Sequence, residues 1–132
     1  MQEIYALSNK GVALAKLGKY NEAIAYYDKA LTIDPNDKST LNSKGYALDG
    51  LDKYDDAMTW YDKALAIDPN YTWALNNKGW ALYNLGKYNE AITYFDKALD
   101  IDPNYTYALS NKNLAIEKLN TTQKKKRWFF KT

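Results

Sequence analysis

Apolar residues in this chain follow two interleaved periods, one helical and one of 34 residues. Between residues 72 and 85, Leu75, Gly79 and Leu82 fall at i, i+4 and i+7, with Ala74, Ala81 and Leu85 beside them. That is the spacing of one face of a helix. "LGK" at 85–87 interrupts it, and Gly86 suits the left-handed backbone that ends a helix. A second stripe follows at Ala91, Ile92, Phe95, Ala98 and Leu99. Asn89 is its expected N-cap, with Glu90 at the positive end of the helix dipole. Pro103 closes it, because the residue before a proline is driven out of the α region. The predicted unit is a helix–turn–helix hairpin.

The hairpin recurs. Pro35, Pro69 and Pro103, each within "IDPN", lie 34 residues apart, and blocks 4–37, 38–71 and 72–105 align without a gap. Gly11, Gly45 and Gly79 are expected to face Ala23, Ala57 and Ala91 where the two helices come closest. Glycine inside a helix costs about 0.5–1 kcal/mol and persists where something must approach. After Pro103 another first helix begins, and the same register sets "WFFKT" (128–132) on "YYDKA" (26–30), "WYDKA" (60–64) and "YFDKA" (94–98). Residues 106–132 therefore read as a degenerate fourth repeat serving as C-terminal cap, with 123–132 as its truncated second helix. Lys124–Arg127 supplies the polar outer face that a terminal repeat needs. Its glycine slot holds Asn113 and its alanine slot Lys125, so a looser pairing is expected here.

A 34-residue hairpin with this pattern resembles the tetratricopeptide repeat. In the third block the matching residues are Leu75, Gly79, Leu82, Gly86, Tyr88, Ala91, Phe95, Ala98 and Pro103. The resemblance implies an all-α fold, an α-α superhelix: a right-handed solenoid of antiparallel hairpins with seven to eight helices. It also implies that the first helices line a concave groove for a protein or peptide. One slot departs from the family, with Lys10, Lys44, Lys78 and Lys112 where a leucine is usual. Their stems are expected to pack while the ammonium groups reach solvent or Asp28, Asp62 and Asp96.

Groove residues are chosen as those opposite the Leu75–Gly79–Leu82 stripe. One slot holds Tyr5, Ser39, Trp73 and Tyr107; two more hold Ser8, Asn42, Asn76, Ser110 and Asn9, Ser43, Asn77, Asn111. The last runs Val12, Tyr46, Trp80, Leu114, with Tyr83 one turn further on, and varies most in size. The peptide-binding candidates are its aromatics and amides: Tyr5, Tyr46, Trp73, Trp80, Tyr83 and Tyr107, with Asn9, Asn42, Asn76, Asn77 and Asn111, plus Val12. An asparagine donates and accepts at once, which suits an extended or helical segment read through its main chain. Aromatic side chains add apolar contact with little entropy to lose. Some family members capture the C-terminal carboxylate of chaperone tails through Lys, Arg and Asn. Those slots here hold Ser8, Val12, Ser43, Trp73 and Asn77, with no cation. Chaperone carboxylate motifs are therefore not expected as partners.

Composition narrows the function further. The chain has no histidine and no cysteine, which removes the commonest general base, the commonest metal ligand and thiolate chemistry. "DIDPN" lacks the glycine and terminal glutamate of a calcium loop, and no glycine-rich phosphate cradle occurs. Neither catalysis nor any metal or cofactor is expected; Asp34, Asp68 and Asp102, repeated in every unit, read as structural. Net charge is +2, unevenly spread: residues 121–132 hold five cations and no acid, leaving a mildly acidic body. Contact of Lys124–Arg127 with a membrane or another anionic surface is a minor expectation, and no specific nucleic-acid binding is expected. The alternative to a peptide-binding scaffold is an assembly module, self-associating through the solenoid ends or docking its basic end. Without a bilayer-length apolar run or a signal-peptide pattern, the protein is expected to be cytoplasmic.

Overall fold

A computed structural model describes residues 2–131. Seven helices follow one another: α1 (Gln2–Lys16), α2 (Tyr20–Ile33), α3 (Lys38–Gly50), α4 (Tyr54–Ile67), α5 (Thr72–Asn84), α6 (Tyr88–Ile101) and α7 (Thr106–Lys131). The hairpins α1–α2, α3–α4 and α5–α6 coincide with the sequence repeats, and each packs on the next. First helices α1, α3, α5 and α7 touch in series, whereas the second helices do not touch one another. The stack therefore curves toward the first-helix side.

Local chemistry sets the helix ends. Gly18 and Gly86 take φ of 76° and 79°, and Asp52 occupies the same turn of the middle repeat at 60°. Helix α6 begins two residues earlier than the Asn89 reading: Lys87 is its N-cap, without a side-chain bond, and Glu90 lies in the first turn. Each "DPN" turn is built the same way. The amides of Asn36, Asn70 and Asn104 donate to Oδ1 of Asp34, Asp68 and Asp102 at 3.0–3.1 Å, so these acids are turn formers.

The partner of the recurring glycine differs from expectation. A Cβ on Gly79 would stand 2.5 Å from the ring of Phe95, and Gly11 and Gly45 are closed over at least as tightly by Tyr27 and Tyr61. The three rings are fully buried. Glycine thus opens a slot for an aromatic ring sixteen positions on; Ala23, Ala57 and Ala91 are buried but do not fill it. This lock explains the end of the chain. Sixteen positions beyond Asn113 lies Phe129, and Asn113 offers no glycine for a ring to close over.

No hairpin closes there: α7 runs unbroken for 26 residues, so 123–131 is not a returning second helix. Its first half packs, through Ala108 and Ala115, against α6 and α5. Leu109 and Ile116 stay exposed, although their counterparts Leu75 and Leu82 are buried beneath α6.

The lysine slot fastens one repeat to the next. Lys44, Lys78 and Lys112 reach back to Asp28, Asp62 and Asp96 of the preceding repeat at 2.6–2.7 Å. Lys44 also lies 3.7 Å over the Trp60 ring, and Lys78 4.5 Å over Tyr94. Lys10, with no described repeat before it, rests on Tyr26. Since Asp62 is half exposed, the ion pair itself contributes little and the packed stem more. Lys78→Met, which keeps the stem, is expected to cost under about 1 kcal/mol in urea unfolding.

Candidate functional site

The first helices present an open face on which four aromatics stand clear of the core: Tyr5 (63% exposed), Tyr46 (55%), Trp73 (62%) and Tyr107 (70%). Such exposure means that packing between helices does not account for them, and a row of exposed aromatics marks an interaction surface. One comes from each of α1, α3, α5 and α7; Tyr5, Trp73 and Tyr107 share one repeat slot, and Tyr46 lies about two helical turns further along α3, where Ser39 holds that slot. Trp80 and Tyr83 behave differently. Their rings stack at 4.9 Å and 6°, with Tyr88 edge-on to Tyr83 at 5.4 Å, forming a half-buried wall at the end of α5. Val12 is also half-buried and packs on the α1–α2 core.

The amides need a correction. Asn42 and Asn76 are buried, not presented to a ligand. Asn77 Nδ2 donates to Asn42 Oδ1 at 3.0 Å, and Asn111 Nδ2 to Asn76 Oδ1 at 3.1 Å. Consecutive residues on a helix lie about 100° apart, so one slot looks back along the stack and its neighbour forward. The two amide series meet in the seam between first helices, where burial without a partner would be costly. The α1–α3 seam uses hydroxyls instead, with Ser8 Oγ 2.7 Å from Thr40 Oγ1. Asn9 is exposed on α1, while Asn77 and Asn111 are half-buried, each with one N–H committed to the seam.

One acid near this face escaped the reading of the sequence. Asp49 accepts a hydrogen bond from the Tyr61 hydroxyl through Oδ2, while Oδ1 is buried with no partner. Burial pushes the Asp49 carboxyl up to about 7, the Tyr61 hydrogen bond opposing the shift. The same slot holds Ala15 and Tyr83 in the flanking repeats, and that irregularity was the available signal. Asp49 lies within a hairpin, bonded to Tyr61 of its own second helix. The face as a whole can hold a chain by aromatic contact and amide hydrogen bonds.

Comparison with known proteins agrees with this architecture. The model of the tetratricopeptide repeat family matches residues 4–37 and 72–105, and a second repeat model of the same kind matches 51–86. No curated protein sequence matches the chain. Among solved structures, the first repeat domain of Spaghetti (RPAP3) bound to the HSP90 peptide SRMEEVD superposes with a TM-score of 0.84 at 29% identity, covering 90% of this chain and 94% of that one. The second such domain of human RPAP3, in complex with the HSP70 peptide SGPTIEEVD, gives 0.79 at 25% identity over 86% and 95%. The Sgt2 domain of Aspergillus fumigatus gives 0.88 at 21% identity over 94% and 83%, a likeness of fold.

These relatives overturn the exclusion of chaperone carboxylate motifs. Similar domains are seen holding just such peptides, so missing cations at Ser8, Val12, Ser43, Trp73 and Asn77 are no ground for ruling them out. The physical reason is that a peptide in a groove is held along its length, and one set of slots is only part of that contact. With three hairpins in register, a conserved turn chemistry and family matches spanning more than half its length, the chain belongs to the tetratricopeptide repeat family.

Proposed function

We propose that the protein is a non-enzymatic interaction scaffold whose first-helix face binds an extended polypeptide segment. The observation that carries this reading is the row Tyr5, Tyr46, Trp73 and Tyr107, exposed on successive first helices of a stack that curves toward them. Aromatic anchors of this kind supply most of the energy of a peptide interface, and the carbonyls of Asn77 and Asn111 accept from the ligand main chain between them. Acidic chaperone tails of the type bound by the similar RPAP3 domains belong among the candidate ligands.

The test is an array of extended peptides, including SRMEEVD and apolar sequences, with hits titrated by fluorescence anisotropy. Trp73→Ala combined with Tyr46→Ala is expected to weaken every hit at least about tenfold. Both side chains are exposed, so the unfolding midpoint should hold. An array without hits, or hits indifferent to the double substitution, would refute the reading.

A further inference from the structure

One rung is missing from the aromatic row. Tyr5, Trp73 and Tyr107 share a repeat slot that Ser39 holds on α3. Packed helices lie roughly 8–10 Å apart, so Tyr5 and Trp73 stand two helices and about 16–20 Å from each other, with exposed Ser39 between them. The gap is furnished by the next repeat. Tyr71, the half-buried N-cap residue of α5, bonds through its phenol to the Ser39 hydroxyl.

The chemistry around Ser39 is polar and leans acidic. Burial pushes the Tyr71 phenol up; the Ser39 bond and the charge of Lys38 oppose this, and the carboxyls of Asp37 and Asp68 add to it. These groups therefore share one small space. Lys38 is committed within it, its ammonium on Asp68 at 2.5 Å and 4.9 Å over the Tyr71 ring. Asp37, the N-cap residue of α3, accepts from Thr40 through Oδ2, and a carboxylate has room for further donors. Ser8 and Thr40 add a pair of hydroxyls in the adjoining seam. A purely apolar side chain seated here would cover these groups without pairing them, which costs. A cation would meet ring faces and an acid, and both favour it. The groove slots at Ser8, Val12, Ser43, Trp73 and Asn77 bring no competing positive charge.

We propose that the gap at Ser39 is a socket for an arginine side chain of the bound segment, an inference that rests on the first-helix face being the binding face. The planar guanidinium stacks on the exposed ring of Tyr5 or Trp73. Its N–H groups donate to the Asp37 carboxylate and to the hydroxyl oxygens of Ser39 and Tyr71. Lysine, a compact and strongly hydrated charge, fits less well because it cannot stack and fork at once. The ligand thus supplies the rung that the second repeat lacks. SRMEEVD carries an arginine and SGPTIEEVD carries none, so the socket separates the two tails held by the similar RPAP3 domains.

Titration of the whole chain, followed by backbone amide NMR shifts so that weak binding is read, tests the proposal. The probes are SRMEEVD and the neutral host peptide GSTRTSG, each also made with its arginine replaced by citrulline, lysine or leucine. Citrulline keeps the shape of arginine and loses the charge. The arginine peptides are expected to bind about tenfold more tightly than their citrulline forms, with lysine between the two. Asp37→Asn keeps a side-chain oxygen at the helix N-cap, so the unfolding midpoint should hold. It should weaken the arginine peptides about fivefold and leave the citrulline forms unchanged, so the two changes do not add. Ser39→Trp, which fills the gap as Trp73 fills its own slot, should abolish the preference for arginine. The socket is overturned if citrulline or leucine binds as tightly as arginine, or if the effects of Asp37→Asn and citrulline add. Peptides that still depended on Trp73 and Tyr46 would then leave the binding face standing without its socket. Absence of binding by every version would overturn both together.

Discussion

Gly79→Ala is expected to destabilise the protein by about 3 kcal/mol, an effect far above that of adding one methyl group to an exposed helix. Helix propensity alone predicts the opposite sign, because alanine gains about 1 kcal/mol over glycine in a helix interior. Geometry decides against it. The new Cβ would stand 2.5 Å from Phe95, a ring with no exposed edge to move toward and with Ala91 and Ala98 fully buried on the same helix. Either the ring leaves its rotamer or α5 and α6 separate, and a close-packed interior tolerates neither cheaply. Urea unfolding gives the size, and a double substitution gives the cause. Gly79→Ala with Phe95→Leu removes the ring atoms that clash, so its cost should fall short of the sum of the two single costs by about 1–2 kcal/mol. Asn113→Ala, on the unlocked helix α7, should be neutral or slightly stabilising. If Gly79→Ala costs less than about 1 kcal/mol, or if the costs add, the lock is not what holds this position.

The same lock shows what could be read from the chain and what could not. The repeat period, the three hairpins, the turn glycines and the lysine-to-aspartate fasteners all follow from spacing, since each depends on residues at fixed offsets. The partner of the glycine was misread because spacing identifies which residues are small without saying which side chain fills the hollow. Yet the offset of sixteen from Gly11 to Tyr27, Gly45 to Tyr61 and Gly79 to Phe95 was visible throughout. Applied to Asn113 and Phe129, it forbids the fourth hairpin that the aligned "WFFKT" otherwise suggests. Exposure on the first-helix face was legible for four of the aromatics and misleading for Asn42 and Asn76. Tyr5, Tyr46, Trp73 and Tyr107 stay largely exposed, whereas Asn42 and Asn76 sit on a seam that exists only once repeats are stacked. A helical wheel describes one helix and cannot place a boundary between two.

The second large effect concerns Asp49 and the pH at which the repeats are held together. Replacing Asp49 and Tyr61 together, as Asp49→Ala and Tyr61→Phe, is expected to stabilise the protein by about 2–4 kcal/mol above pH 7 and by little near pH 4. The double change imitates the neighbours, since Ala15 occupies the acid's slot in the first repeat and Phe95 the tyrosine's slot in the third. In the folded protein burial holds the Asp49 carboxyl at about 7, against an ordinary value of 3.8, and it also pushes the Tyr61 phenol up. Between those two pH values the folded chain binds more protons than the unfolded one. The wild type therefore loses stability through Asp49 as pH rises from about 4 to about 7, and loses no more beyond that. Asp68, whose carboxyl is held low by Lys38 and the Asn70 amide, acts in the opposite sense, so the raw profile mixes two slopes. The difference between variant and wild type isolates the first. Removing both partners matters, because Asp49→Ala alone strands the buried Tyr61 hydroxyl without its acceptor. Urea midpoints collected from pH 4 to 8 should show the gap between the two proteins opening across that window and staying open above it. A constant gap would mean that Asp49 titrates in the folded protein as it does in the unfolded chain, with its burial relieved by water at Oδ1.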